Sequence, residues 1–367
     1  MEDFKSPKEN IAENQVIAVQ EAQTLIKEAI IRSYKLNIPK EQLSLEIKEI
    51  IKKATASISR KDVKQVQYAL AQNAQRWEYT YRQSLKVINA TVLKTIERLS
   101  TVNPKISNIA KSYNVSLSDY LGLDPKQQNQ IIGNFRNVLT QDARGLPVIE
   151  SYESIVKSEV KKLATDPANV YRTDRNGNAY KMNLRNYAEM RTRYEANQRD
   201  LAKYAEDDKD LVWTSSHPDS SMRCAPYQGK LYSIKGRKGT IDGIPFTPLS
   251  EALEGPKGDG NGIINGYNCR HRLIPYTPKS RPPQDYDEAT VKKENELNNR
   301  QRLYERSIRN LKLEERALRI NGDNAEASRL RKRWQRLDTN YKKFSLNNGR
   351  AFYEWRTRIL SDEEKYY

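Results

Sequence analysis

Glycine is distributed so unevenly along this chain that it divides it. Nine of the fifteen glycines lie between residues 229 and 266, with Pro245, Pro248 and Pro256 among them. Both residue types interrupt regular structure, glycine through backbone freedom and proline through its missing N–H. Long unbroken helices are therefore confined to the flanks, and the middle must be made of short strands and turns.

The flanks carry the matching pattern. Ile11, Val16, Val19, Ala22, Leu25, Ile26, Ala29 and Ile30 recur at helical spacing, and Pro39 follows where the pattern stops. A second helix is predicted over 41–56. Ser59 and Asp62 match a capping box for a long third helix carrying Val63, Val66, Leu70, Trp77, Tyr81, Leu85, Ile88, Val92 and Ile96, which Asn103-Pro104 breaks. Asp124-Pro125 starts a helix to about 141, and another covers 148–163. Asn176-Gly177 signals a hairpin between 170 and 182, and Asn183 caps a helix to about 205.

Strand-like runs at 211–213, 230–234 and 272–276 border the glycine-rich segment, and Pro275, Pro278, Pro282 and Pro283 make a stiff exit from it. Beyond, Leu330, Trp334, Leu337, Tyr341 and Phe344 form one apolar seam. Tyr304, Ile308, Leu311 and Leu318 form a second across a turn at Gly322-Asp323, which reads as an antiparallel helical hairpin. The expected fold is mainly α with a small α+β module: a long helical N-terminal arm over 1–165, a central Gly/Pro-rich β and loop module over 166–278, and a C-terminal helical hairpin over 279–367.

Charge follows the same division. The chain holds 64 Lys plus Arg against 47 Asp plus Glu, a formal charge of +17, yet residues 200–278 hold ten of each sign. The whole positive excess sits on the flanks. Apolar types reach only 37%, which favours elongated helical arms over one thick globule. No run approaches the roughly 18 to 20 apolar residues of a membrane span, and the polar start does not read as a signal peptide. Two cysteines form at most one disulfide, which excludes a stapled extracellular scaffold and fits synthesis in a reducing cytosol.

The outward face of the hairpin is expected to carry Arg300, Arg302, Arg306, Arg309, Arg329, Arg331, Lys332 and Arg333. Such faces are commonly solvated surface. The run Arg329, Arg331, Lys332 and Arg333 beside Trp334, with Arg306 and Arg309, is also dense enough to neutralise several phosphates without reading sequence.

Both histidines and both cysteines fall within 217–271. His217, Cys224, Cys269 and His271 have the number and softness of a structural Zn2+ site, although the spacing matches no familiar finger. A Cys224–Cys269 disulfide, or buried thiols and hydrogen-bonded imidazoles with no metal, explain the same residues. Cys269 with His271 lacks an orienting third group for nucleophilic catalysis. A metal-dependent nuclease or processing factor on His217, Asp219 and His271 is the enzymatic alternative, set against the module's balanced charge. No Walker motif, G-x-S-x-G or H-E-x-x-H occurs.

Specific runs go further. Trp213-Thr214-Ser215-Ser216-His217, Cys224-Ala225-Pro226-Tyr227-Gln228-Gly229-Lys230-Leu231-Tyr232-Ser233, Gly266-Tyr267-Asn268-Cys269-Arg270-His271 and Pro275-Tyr276 resemble the minor capsid protein 2 family of tailed bacteriophages, which is related to the Mu F-like head morphogenesis proteins. Asn186-Tyr187-Ala188-Glu189-Met190-Arg191 is similar to the segment before the module in that family, and 301–312 to its C-terminal helix. The resemblance covers about residues 170–345; residues 1–165 carry no motif that places them.

That family implies a structural role and no catalysis. It implies a virion protein at the portal vertex or capsid interior, made in the host cytoplasm, aiding head assembly and genome packaging or delivery. Its implied partners are the portal protein, the major capsid or scaffolding protein, and double-stranded DNA contacted without sequence preference.

Overall fold

The computed structural model describes residues 7–56, 58, 60–112, 117–173, 177–222, 224–254, 271–278 and 281–360. It is mainly helical with a small β module, as the glycine distribution requires. The chain divides into two compact units. One comprises Met1–Val19, Asn169–Ser307 and Leu337–Arg358, and the other Gln20–Ala168, Ile308–Arg336 and Ile359–Tyr367.

The second unit is a helical assembly drawn from α1 (Pro7–Lys35), α2 (Lys40–Thr55), α3 (Arg60–Ser100), α4 (Pro104–Ser112), α5 (Leu117–Gly122), α6 (Pro125–Thr140) and α7 (Leu146–Thr165). Helix α3 is its axis, about 60 Å long at the usual rise per residue. It packs against α2, α4, α5, α6 and α7. The seam read from the sequence is the buried one: Val66, Leu70, Trp77, Tyr81, Leu85, Ile88, Val92 and Ile96 are all inside, and Val63 is half-buried. At one end Val92, Leu93, Ile96 and Leu99 close a core with Ile106, Tyr120, Ile131, Ile132, Phe135, Leu139 and Ile149.

Local chemistry sets the boundaries. Asp124 and Gln127 form a reciprocal capping box at α6, with Lys126 N donating to Asp124 Oδ1 at 2.9 Å and Asp124 N donating to Gln127 Oε1 at 3.2 Å. Asn103, expected only to end a helix, also starts one: its Oδ1 accepts from the backbone of Lys105 at 3.0 Å and Ile106 at 3.3 Å. Ser59, half of the capping box expected at α3, lies outside the described residues.

In the first unit β1 (Asn169–Thr173) and β2 (Ala179–Asn183) pair antiparallel with Val170 opposite Met182. Asn176 of the expected turn lies outside the described residues, and Gly177 has φ 81°. Asn183 caps α8 (Leu184–Glu206), its Oδ1 accepting from Arg185 N at 2.9 Å.

A five-stranded sheet follows, in the order β5-β6-β4-β3-β7. Its members are β3 (Leu211–Thr214), β4 (Leu231–Ser233), β5 (Gly239–Ile241), β6 (Ile244–Pro248) and β7 (Leu273–Pro275). β4 and β6 run parallel and the other neighbours antiparallel. Strands β5 and β6 and the short helix α9 (Leu249–Glu254) fall in a segment read only as loop. Val212, Tyr232, Leu249, Ala252 and Leu273 make the module's core, against which Leu201 and Tyr204 of α8 pack.

Helices α10 (Glu288–Asn321) and α11 (Asn324–Asn347) form the expected pair, turning at Gly322 with φ 94°. Tyr304 lies 6.0 Å from the Tyr341 ring and 5.5 Å from Phe344, and Trp334 Nε1 donates to Glu315 Oε2 at 2.6 Å. The two seams therefore meet in antiparallel register. Among the described residues no helix is long and apolar enough to cross a membrane.

Lys27 of α1 is buried in the second unit. Its Nζ donates to Ala164 O at 2.8 Å and lies 4.7 Å from the Trp77 ring centroid. Burial drives its pKa from the ordinary 10.5 down to about 7, against the pull of Asp166 and with help from Arg76. Between pH 7 and 10.5 the unfolded chain binds the proton more tightly, so folding stability contributed by this group rises with pH in that window. A Lys27→Met variant is expected to exceed the native protein in stability at pH 7. In urea denaturation its advantage should shrink by about 1.4 kcal/mol per pH unit toward pH 10; a pH-independent difference contradicts the assignment.

Candidate functional site

The sheet of the first unit brings three segments of the chain together around one side chain. Ser215 N donates to Arg272 O at 2.8 Å, and Arg272 N donates to Ser215 Oγ at 2.8 Å. Thr214 Oγ1 donates to Tyr227 O at 2.9 Å. In their midst Gln228, 4% exposed, accepts at Oε1 from His217 N at 3.0 Å and from His271 Nε2 at 3.1 Å. Gly229 follows with φ 67°, a backbone conformation that a side chain would strain.

Two of the four expected metal ligands are therefore neighbours. The His217 and His271 rings stand edge to face, with centroids 5.1 Å apart, and His271 is buried. Both Nε2 atoms are engaged, that of His271 by Gln228 and that of His217 by Ser215 Oγ at 3.0 Å. Cys224 Sγ accepts from Ser221 Oγ at 3.3 Å. Cys269 lies outside the described residues, and among those described no group of three or more His, Cys, Asp or Glu is placed to hold a metal ion. Asp219, the carboxylate of the nuclease alternative, is 3.3 Å from Arg350, which also binds Glu294 at 2.8 Å. Chemically, the described arrangement is a hydrogen-bonded clasp between loops. Sequence reading missed its central member, Gln228, although the residue stands in the run that carries the family resemblance.

The cationic residues sort by exposure. In the second unit Arg329, Lys332 and Arg333 are exposed on α11, while Arg331 is half-buried. Arg336, which the sequence reading did not single out, is exposed as well and completes a one-sided i, i+3, i+4, i+7 stripe. Arg329 makes a 3.4 Å contact with Glu326; among the described residues no carboxylate forms an ion pair with Lys332, Arg333 or Arg336. Trp334 turns inward, with Lys312 Nζ 4.9 Å from its ring centroid, so it offers no stacking face beside the stripe. Arg309 is half-buried, and Arg306, exposed, belongs to the first unit. Arg302, expected outside, is held at 2.8 Å by Glu305.

The sequence profile of the phage minor capsid protein 2 family matches residues 40–344. The chain belongs to that family. A protein of Lactococcus phage LL-H described as "Structural protein" is 31% identical over 128 residues, 34% of this chain and 32% of the relative, so the match spans about a third of that protein's length. No solved structure matches.

For this minor capsid protein the family extends well beyond the run first noticed. It takes in the helices α2 to α7, which carry no motif readable by eye, because their information is a periodic apolar seam that many helical proteins share. The central motif, by contrast, is legible because each residue has a separate structural duty. Gln228 clasps, Gly229 turns, and Leu231, Tyr232 and Ser233 form β4. Replacing Gln228 with Leu leaves the His217 N–H and the His271 Nε2–H without their buried acceptor. It should cost about 2 to 4 kcal/mol in urea denaturation; a loss below about 0.5 kcal/mol would show that the clasp is not structural.

Proposed function

We propose that this protein is a structural component of the phage virion whose α11 face touches packaged double-stranded DNA without reading its sequence. One observation carries the reading: four exposed cations, Arg329, Lys332, Arg333 and Arg336, share one side of a helix, and three of them have no ion-pair partner among the described residues. A face with three cations outside any ion pair among the described residues is an electrostatic surface for polyanions, with Arg329 shared with Glu326 and Arg333 near enough to Glu314 to favour its charged form.

The remaining assignments are proposals that membership of the family supports. The protein acts in the capsid interior or at the portal vertex, in contact with portal, major capsid or scaffolding protein, and supports head assembly and genome packaging or delivery. The charge-balanced module, residues 200–278, suits protein contact, because it adds no net repulsion or attraction of its own.

The stripe spans about 10 Å along the helix axis, the length of roughly three phosphates on one strand. Affinity for random-sequence duplex should fall steeply with salt. Changing all four residues to Gln should lower the slope of log affinity against log salt by roughly three and weaken binding equally for unrelated sequences. Filter binding across a salt series measures both. An unchanged slope in the fourfold variant, or binding indifferent to salt in the native protein, would remove DNA contact from this face.

A further inference from the structure

The second unit contains a cavity of about 320 Å3 between the end of α1, the middle of α3, helices α6 and α7, and the turn from α10 to α11. That size is at the lower end of the range for small-molecule sites. Tyr34, Tyr81, Leu85, Tyr152 and Val156 give it an aromatic and apolar wall, and it opens to solvent beside the exposed Lys35, Arg136 and Gly322. The Tyr34 and Tyr81 rings meet edge to face, with centroids 5.6 Å apart.

Two of the three tyrosine hydroxyls have partners within the fold. Tyr34 donates to Glu78 Oε1 at 2.6 Å, and Tyr152 donates to Asn129 Oδ1 at 3.3 Å. Tyr81, 4% exposed, makes no hydrogen bond to any described residue. Burial first, then Tyr152, Glu159 and Asp323, push its pKa up, so it stays a protonated donor. Tyr152 and Asp323 both line the cavity, which puts the hydroxyl on that side of the fold. A buried donor of this kind calls for an acceptor. Charge on the wall is uneven as well. Arg136 pairs with Glu153, and Lys157 with Asp323 at 3.0 Å. Lys35 Nζ donates to Ile320 O at 3.1 Å but forms no ion pair with a described carboxylate. An ammonium has three donors, so this one has two to spare. Gly322 leaves it room, since a Cβ there would stand 2.8 Å from Lys35 Nζ.

We infer that this cavity binds a small aromatic monocarboxylate. Lys35 and the Tyr81 hydroxyl, both beside the turn at 320–323, take the carboxylate through charge-assisted hydrogen bonds. The ring lies among Tyr34, Tyr81, Leu85, Tyr152 and Val156, where aromatic faces and edges are on offer. One negative charge balances the wall's three cations and two carboxylates. A cation of the same shape is disfavoured, because Glu153 and Asp323 are already committed to Arg136 and Lys157. Neither the α11 stripe nor contact with DNA enters this site.

Phenylacetate, phenylacetamide and phenethylamine carry the same ring with a negative, a neutral and a positive group, and calorimetric titration of the full chain at constant ionic strength compares them. Phenylacetate should bind saturably below about 10 mM and at least about ten-fold more tightly than phenethylamine. Lys35→Met should weaken phenylacetate about ten-fold and leave phenylacetamide nearly unchanged, since it removes a charge-assisted bond. Tyr81→Phe should weaken both by about three- to ten-fold. It deletes a hydroxyl with no partner in the fold, so its Tm should match or exceed the native value, which guards against misreading a damaged core. The fourfold α11 variant should bind phenylacetate like the native protein, so this site and the DNA face stand or fall separately. The site is overturned by phenylacetate that does not saturate, by phenethylamine binding equally well, or by affinities unmoved in both Lys35→Met and Tyr81→Phe. Loss of phenylacetate binding in the α11 variant overturns it too.

Discussion

Surplus positive charge, in a chain with little apolar material, decides where most of this molecule's side chains go. A cation enters a helical core most cheaply with a carboxylate beside it, and several pairings show that rule at work, with Lys27, held by the Ala164 carbonyl, as an exception. Arg316 meets Glu28, Arg319 meets Glu315, Lys161 meets Glu326 and Arg76 meets Asp166 in the second unit. Arg350 meets Asp219 and Glu294 in the first. The α11 stripe keeps its charge in solvent.

A concentration of rare residues in the histidine and cysteine segment reads from sequence as a metal site, a disulfide, or buried thiols and hydrogen-bonded imidazoles. The described part of it is a hydrogen-bonded clasp in which one amide oxygen serves two donors, His217 N and His271 Nε2. Its work is to hold loops on a small sheet.

Much of the fold was legible because its signals are local. Asp124-Pro125 and Asn183 announced helices that begin where those residues stand, and the apolar seams of α3 and of the α10–α11 pair are the buried ones. The strands β5 and β6 were not read, although Asp242-Gly243 between them, with φ 51° and 75°, is itself a hairpin signal. Proline at 245 and 248 hid them, since β6 carries both while pairing on two sides. Gln228 could not be assigned its role from spacing, because its importance lies in two partners 11 and 43 residues away. Arg336 could have been found, since it follows Arg329, Lys332 and Arg333 at helical period.

Cross-linking inside mature heads tests the central claim most directly. If uncompensated charge on α11 meets the packaged genome, DNA adducts mapped by mass spectrometry should concentrate on residues 324–336, at sites unrelated to base sequence. Adducts confined to other segments of the chain, or none in filled heads where the protein is present, would contradict the account.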